Sequence, residues 1–489
     1  MNPDSGIRRR IVRAVGAEAL GQGLNIGTRL LLVPLFLAAW GAQAYGEWLT
    51  LTAVAAWFGL ADLGGQLYFV NRLTAAWAAG RRDESQRVLS TGLLGFAVIA
   101  TALFGVTVLV LSLLPSLGWL GLQVVAPDVA RLLLAIAALR FLVALPVGLL
   151  TGVFRSTTAQ ATSVMYGNLA LALQFAGTAA ALLAGAGMLV VAAVDVAAQF
   201  VVALAVSVDL RRRLPADIRV WAPRLADLSV LRSSLSPSLH FLTIQLAMAL
   251  MVQGSVIVVA ATLGSVQVAI FSTVRTVSNV VSRLLAMLSH SAWPEFTRLD
   301  VGGRTATLLR LFRSILFIAL LGGLLYLVVV EAFGAPLFRW WLRGALVYDP
   351  TVMYLMGSLV ILTTIWTLGG NLLMATNRHE LFARLQLPVN LCALALCYAG
   401  ALGRGLTGAV IGLLIGQSVL MTAAVVALLR RNGFDAAATT LFRVAMLAVL
   451  LLPLCLNVWT GLAGVVAIAL MTARQLDWAN VDALAARAR

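Results

Sequence analysis

The sequence predicts an all-α polytopic membrane protein with fourteen transmembrane helices, or twelve on a stricter count, in two six-helix lobes around a central cavity. Three observations predict it. Of the 489 residues, 61% are hydrophobic and only 11% are charged, against roughly a half and a quarter in a soluble domain. The mean hydropathy is +0.97. Apolar runs of about 20 residues, the length that crosses a hydrocarbon core, recur along the whole chain, and the charges gather in the short connectors between them. A soluble enzyme, a disordered chain and a nucleic-acid-binding domain are excluded, despite a net charge of +16.

Residues 1–16 carry Arg8, Arg9, Arg10 and Arg13. No small-residue cleavage site follows them, so a retained cytoplasmic start is expected. Apolar runs follow at about 17–40, 48–70, 91–114, 128–152, 161–184, 187–208, 237–261, 267–291, 311–333, 350–375, 382–402, 406–429, 441–457 and 459–474. The last two are short and could form one hairpin, which is why twelve is the alternative. The basic residues, all of them arginine, test the topology. Twenty-seven of 35 fall in alternate connectors on one side; four (Arg131, Arg339, Arg343, Arg404) fall on the other, and four (Arg29, Arg140, Arg275, Arg283) lie within spans. That asymmetry places the rich side and both termini in the cytoplasm.

The connector around 211–236 divides the chain. It predicts a first lobe over 1–213, a linker over 214–236, a second lobe over 237–430, and two further spans with a cytoplasmic tail over 431–489. Gly41-Ala-Gln-Ala-Tyr-Gly46 before span two parallels Gly264-Ser-Val-Gln-Val-Ala269 before span eight. This is the pattern of a parallel repeat about an axis along the membrane normal. Cys392, Cys397 and Cys455 lie in apolar runs without ligand or redox spacing and are expected to be core thiols. The outer segment 338–343, with Trp340 and Trp341, reads as an interfacial anchor.

Ionisable groups inside a span are costly and mark cavities or partners. At 100° per residue, Glu18, Gln22, Asn25 and Arg29 fall within about 60° of one another on span one. On span eight, Ser272, Arg275, Asn279, Ser282, Arg283 and His290 share one face. Span two carries Asp62 and Gln66 at i, i+4. Asp195 and Arg140 are expected to pair within the first lobe, and His240 to lie at the interface. Thr364, Thr367 and Asn371 read as packing. The central stripes are net cationic, which favours an anion, and arginine suits phosphate through its bidentate fork. No metal-ligand cluster, glycine-rich phosphate loop or nucleophile–base pair is present, so a transporter, not an enzyme, is expected. No cofactor is expected, and a proton or sodium gradient is the expected drive.

The residues Gly41-Ala-Gln-Ala-Tyr-Gly-Glu-Trp48, then Asp62-Leu63-Gly64 and the basic loop from Asn71-Arg72 to Arg81-Arg82, resemble the polysaccharide-transporter family. This is the Wzx-type oligosaccharide flippase group of the multidrug/oligosaccharidyl-lipid/polysaccharide (MOP) exporter superfamily. The resemblance implies a two-lobe transporter of the bacterial inner membrane whose first two helices in each lobe line the cavity. It implies export of undecaprenyl-pyrophosphate-linked oligosaccharide by alternating access, for O-antigen or exopolysaccharide synthesis beside polymerase and chain-length proteins. Arg29, Asn25, Arg275, Asn279 and Arg283 are then the expected headgroup ligands, and Asp62 and Glu18 the expected ion-coupling groups. The alternatives are a peptidoglycan-precursor (lipid II) flippase, a cation-coupled multidrug exporter, and a non-transporting scaffold subunit of a polysaccharide synthase complex.

Overall fold

The computed structural model describes residues 3–475, apart from 63, 64, 115, 116, 158, 216, 233–244 and 379. His240 lies outside the described residues, as does the side chain of His290. The described chain is helical, without strands: α1 (Pro3–Ala55), α2 (Gly65–Ala78), α3 (Arg82–Leu113), α4 (Pro127–Ser156), α5 (Gln160–Leu183), α6 (Met188–Arg213), α7 (Ser255–Leu263), α8 (Ser265–Val301), α9 (Thr305–Leu342), α10 (Pro350–Ala375), α11 (Glu380–Leu413), α12 (Met421–Arg431), α13 (Asp435–Leu451) and α14 (Val458–Gln475). Among the described residues ten helical stretches are long and apolar enough to cross a membrane. Two of them, Gly16–Asp62 with 47 residues and Glu380–Arg431 with 52, are long enough for two passes each. They break at Gly41 and at Arg404–Gly405. With α8 and the short apolar Val458–Met471, the fourteen expected runs all have helical counterparts.

The repeat seen in the sequence has a backbone counterpart. Gly41 has φ 75° and ψ 173°; Gly264, at the matching place, has φ 82° and ψ 175°. That region is essentially closed to any residue with a Cβ, so both hairpins need glycine where the chain reverses. The two motifs also meet. A Cβ on Gly46 would run into the backbone of Ser265. Gly46→Val is therefore expected to misfold or to destabilise by about 3 kcal/mol or more, because backbone cannot move aside as a side chain can. Loss of the monodisperse species in detergent is the readout.

Contacts divide the chain into Met1–Ala269 and Ile270–Arg489. The division falls beyond the 214–236 linker expected from the sequence, because α7 packs on α1 and on the turn Gly118–Leu120. In the first unit the core is built from Phe69, Leu93, Phe96, Leu142, Leu149 and Phe154. In the second, α9 is central, with Phe312, Leu316 and Leu320 packed among Leu372, Val425 and Leu441.

Three expectations are corrected. The second span is not one α-helix: after Ala55 the chain tightens to a 3₁₀ stretch, Ala56–Asp62, and resumes as α2 at Gly65. Asp62 and Gln66 thus sit on different elements, and Gln66 donates to the Leu145 carbonyl at 3.4 Å. Secondly, Arg140 and Asp195 interact electrostatically but form no direct pair; Arg140 donates to Gln174 Oε1 at 3.3 Å, while Asp195 accepts from Thr178 at 3.4 Å. Thirdly, Cys392 is exposed, whereas Cys397 and Cys455 are buried thiols.

Candidate functional site

On α1, exposed residues sort by polarity. Ala17 and Thr28 are buried, and Asn168 of α5 donates to the Ala17 carbonyl at 2.9 Å. Gly21 lets Asn168 approach on the same side. This packed face lies about 60–100° to one side of Glu18 on a helical wheel. Glu18, Gln22 and Arg29 are exposed and Asn25 is half-buried. Leu20 and Leu31, 57% and 56% exposed, lie about 200–220° from Glu18. The exposed polar row and the exposed apolar row therefore occupy opposite sides of α1. That is how a helix with one side on lipid and another on water is built. Thr28 donates to the Asn25 carbonyl at 3.1 Å, while Asn25 Oδ1 is buried without a protein partner. The Arg29 charge is felt at Tyr45.

α8 sorts in the same way. Phe271, Val274, Ser278 and Leu285 are buried, with Ser278 bonded to Tyr326 at 3.3 Å and Gly322 beneath Leu285. Arg275, Asn279 and Arg283, at i, i+4 and i+8, are half-buried, as is Ser282. Leu284, 54% exposed, lies about 180° from Arg275 and turns away from that row, while Met287, 59% exposed, continues it one turn beyond Arg283. The Arg275 guanidinium lies over the Phe271 ring at 5.0 Å, and Ser272 Oγ and Thr273 Oγ1 are buried without partners. The structure thus brings Asn25 and Arg29 together on one row and Arg275, Asn279 and Arg283 on another. The first row belongs to the first unit and the second to the second. Asp62, half-buried at the end of its 3₁₀ stretch, shares neither row.

The structure adds a feature that span-by-span reading missed. Within the first unit, Thr28, Leu32 and Phe36 of α1, Trp48 and Thr52 beyond its bend, Gln174 and Thr178 of α5, and Asp195 of α6 line a cavity of about 190 Å³. That is room for several waters at about 30 Å³ each. A carboxylate at such a cavity, in reach of the Arg140 charge, can exchange a proton or a small cation. The signal was present as polar residues at i, i+4 on span five, Gln174 and Thr178.

An aromatic cluster that includes the lining residues Phe36 and Trp48 adjoins the cavity. Phe36 stacks on Tyr45 at 5.3 Å and on Trp48 at 6.2 Å, and Trp40 meets Trp48 edge-on at 5.6 Å. Beside it Glu47 is fully buried. Its Oε1 accepts from the backbone N–H groups of Gln123 at 2.7 Å and Val124 at 2.8 Å, and its Oε2 from that of Val125 at 2.7 Å. Sequence gave Glu47 no role, because its partners are main-chain groups more than 70 residues away. Among the described residues no group of three or more His, Cys, Asp or Glu side chains could hold a metal ion.

No protein-family model matches the sequence, and no curated protein sequence matches it. Solved structures do. A multidrug-resistance MATE family transporter of the MOP superfamily, inward-facing, superposes with TM-score 0.71 at 14% identity, over 88% of this chain and 99% of that one. The lipid II flippase MurJ, inward closed, superposes with TM-score 0.67 at 13% identity, over 97% of this chain and 100% of that one. The chain has the fold of these transporters. At such identities the likeness carries the architecture alone, and the substrate must be argued from the side chains.

Proposed function

We propose that the protein is a flippase for undecaprenyl-pyrophosphate-linked oligosaccharide, moving it from the cytoplasmic to the periplasmic leaflet of a bacterial inner membrane. The Arg275–Asn279–Arg283 row carries this reading. Two guanidinium groups on one side of a membrane helix, away from the exposed Leu284, are costly in hydrocarbon and belong beside water or an anion. The Asn25–Arg29 row on α1 supports it. Forks of this kind bind pyrophosphate bidentately, and asparagines suit the first sugar. The isoprenoid tail stays in the bilayer while the headgroup crosses. Glu18 and Asp62 remain candidates for ion coupling, and the Asp195 cavity adds a third.

A lipid II flippase is the second reading, because lipid II would offer the same pyrophosphate to the arginine rows; it differs in the group carried beyond the pyrophosphate. A multidrug exporter of cations is disfavoured by the arginine rows, and a scaffold has no use for them. The test is transbilayer movement in proteoliposomes of three substrates: a polyprenyl-pyrophosphate oligosaccharide, lipid II, and a lipophilic cation. The first is expected to move, faster with an ion gradient. Movement of the cation alone would overturn the assignment.

A further inference from the structure

The segment Leu214–Arg232, which follows α6 and is described apart from residue 216, is bound along α3 at three levels. At the first, Gln86 clamps the backbone of Arg219, donating to its carbonyl at 3.0 Å and accepting from its N–H at 2.6 Å. Further along, Thr91 accepts from the Asp227 N–H at 2.8 Å, and Leu231 packs over Gly95. From Gln86 to Gly95 α3 advances about 14 Å, from its polar start into the apolar run that begins near Leu93. The segment therefore runs beside α3 from its polar start to the beginning of its apolar run.

Its two faces differ. Ile218, Val220 and Val230 are buried against the first unit. Trp221, Leu225 and Leu228 are 54%, 48% and 60% exposed. Six arginines, at 211, 212, 213, 219, 224 and 232, accompany two aspartates, 217 and 227. One aspartate is occupied: Ser229 donates to Asp227 Oδ1 from its N–H at 2.8 Å and its hydroxyl at 2.6 Å. Those bonds hold its carboxyl below the usual carboxylate range. Arg213 is paired with Asp209 at 2.8 Å.

We propose that this strap is a docking surface for anionic phospholipid, with Trp221, Leu225 and Leu228 set into the interface and Arg219 and Arg224 on lipid phosphates. Tryptophan is at home at the headgroup level, and the forked guanidinium matches a phosphodiester. The strap sits on α3 within one unit, so the proposal does not depend on the transported substrate.

The test uses the full-length protein in nanodiscs. Cys392→Ala leaves only the two buried native thiols, and a fluorophore is placed at Leu225→Cys or Leu228→Cys. Quenching by brominated phosphatidylglycerol in a phosphatidylcholine host is compared with quenching by brominated phosphatidylcholine at the same fraction. Phosphatidylglycerol is expected to quench more strongly, whereas a label at Val98→Cys, 58% exposed in mid-α3, sees both lipids equally. Each arginine near an anionic surface is worth about fivefold in local enrichment, so Arg219→Gln with Arg224→Gln should lower the preference by roughly an order of magnitude. Both substitutions spare the Gln86 clamp, which uses only the Arg219 backbone. Equal quenching by the two lipids would overturn the proposal, and so would the lack of quenching by either that a water-facing or protein-docking strap would give.

Discussion

Arg275→Ala is expected to reduce translocation by roughly 10²- to 10³-fold, the size of effect seen when one partner of a desolvated charge pair is truncated, with insertion and folding retained. The reason lies in its position. Arg275 is half-buried at the start of the Arg275–Asn279–Arg283 row, and its neighbours in the packed face, Val274 and Ser278, hold α8 in place without it. On the proposed reading, removing the guanidinium takes a charged fork from the headgroup, while the buried Val274 and Ser278 stay in place. Arg275→Lys keeps the charge but not the planar fork, so it should restore activity only in part. Complementation of a flippase-null strain, with membrane levels measured in parallel, reads both variants. Full complementation by the alanine variant would remove Arg275 from the site.

Glu47→Ala is expected to destabilise the first unit by about 4 kcal/mol or more, since a hydrogen bond to a charged group contributes about 1.5–3 kcal/mol and three buried N–H groups lose their acceptor at once. The loop around Gln123–Val125 would come away from α1. It would loosen the surrounding end of the unit, where Gln43 also bonds Gln123 at 2.8 Å and Trp40 donates to the Ala186 carbonyl at 3.0 Å. Glu47→Gln should fall between the two: its oxygen can still accept from Gln123 and Val124, but its amide faces the Val125 N–H donor to donor. Thermal unfolding in detergent should order the three proteins as wild type, glutamine, alanine. An alanine variant as stable as wild type would show that water replaces the carboxylate freely.

The spans were legible because hydropathy over about 20 residues is a strong signal. The glycine-marked repeat was legible because Gly41 and Gly264 occupy a conformation that other residues avoid. The polar rows on α1 and α8 follow from helical geometry, which holds where the helix is regular. It fails in the second span, where 3₁₀ winding over 56–62 and resumption at Gly65 break the register assumed for Asp62 and Gln66. A 3₁₀ turn and an α turn of the same apolar residues have the same hydropathy, so that reading had nothing to detect. The Asp195 cavity and the Glu47 anchor were hidden for another reason. Both depend on pairing between distant elements, Gln174 with Arg140 and Glu47 with the 123–125 backbone, and a single sequence does not state which spans are neighbours.

The central claim is that the cationic row of α8 faces the pyrophosphate headgroup. A photoreactive amino acid placed at Asn279 tests it most directly, in proteoliposomes holding a polyprenyl-pyrophosphate oligosaccharide, with a matched probe at Leu284. Crosslinks to the sugar-pyrophosphate at position 279, competed by excess substrate, with only bulk-lipid adducts at 284, are the predicted result. Headgroup adducts at 284 and none at 279 would contradict it.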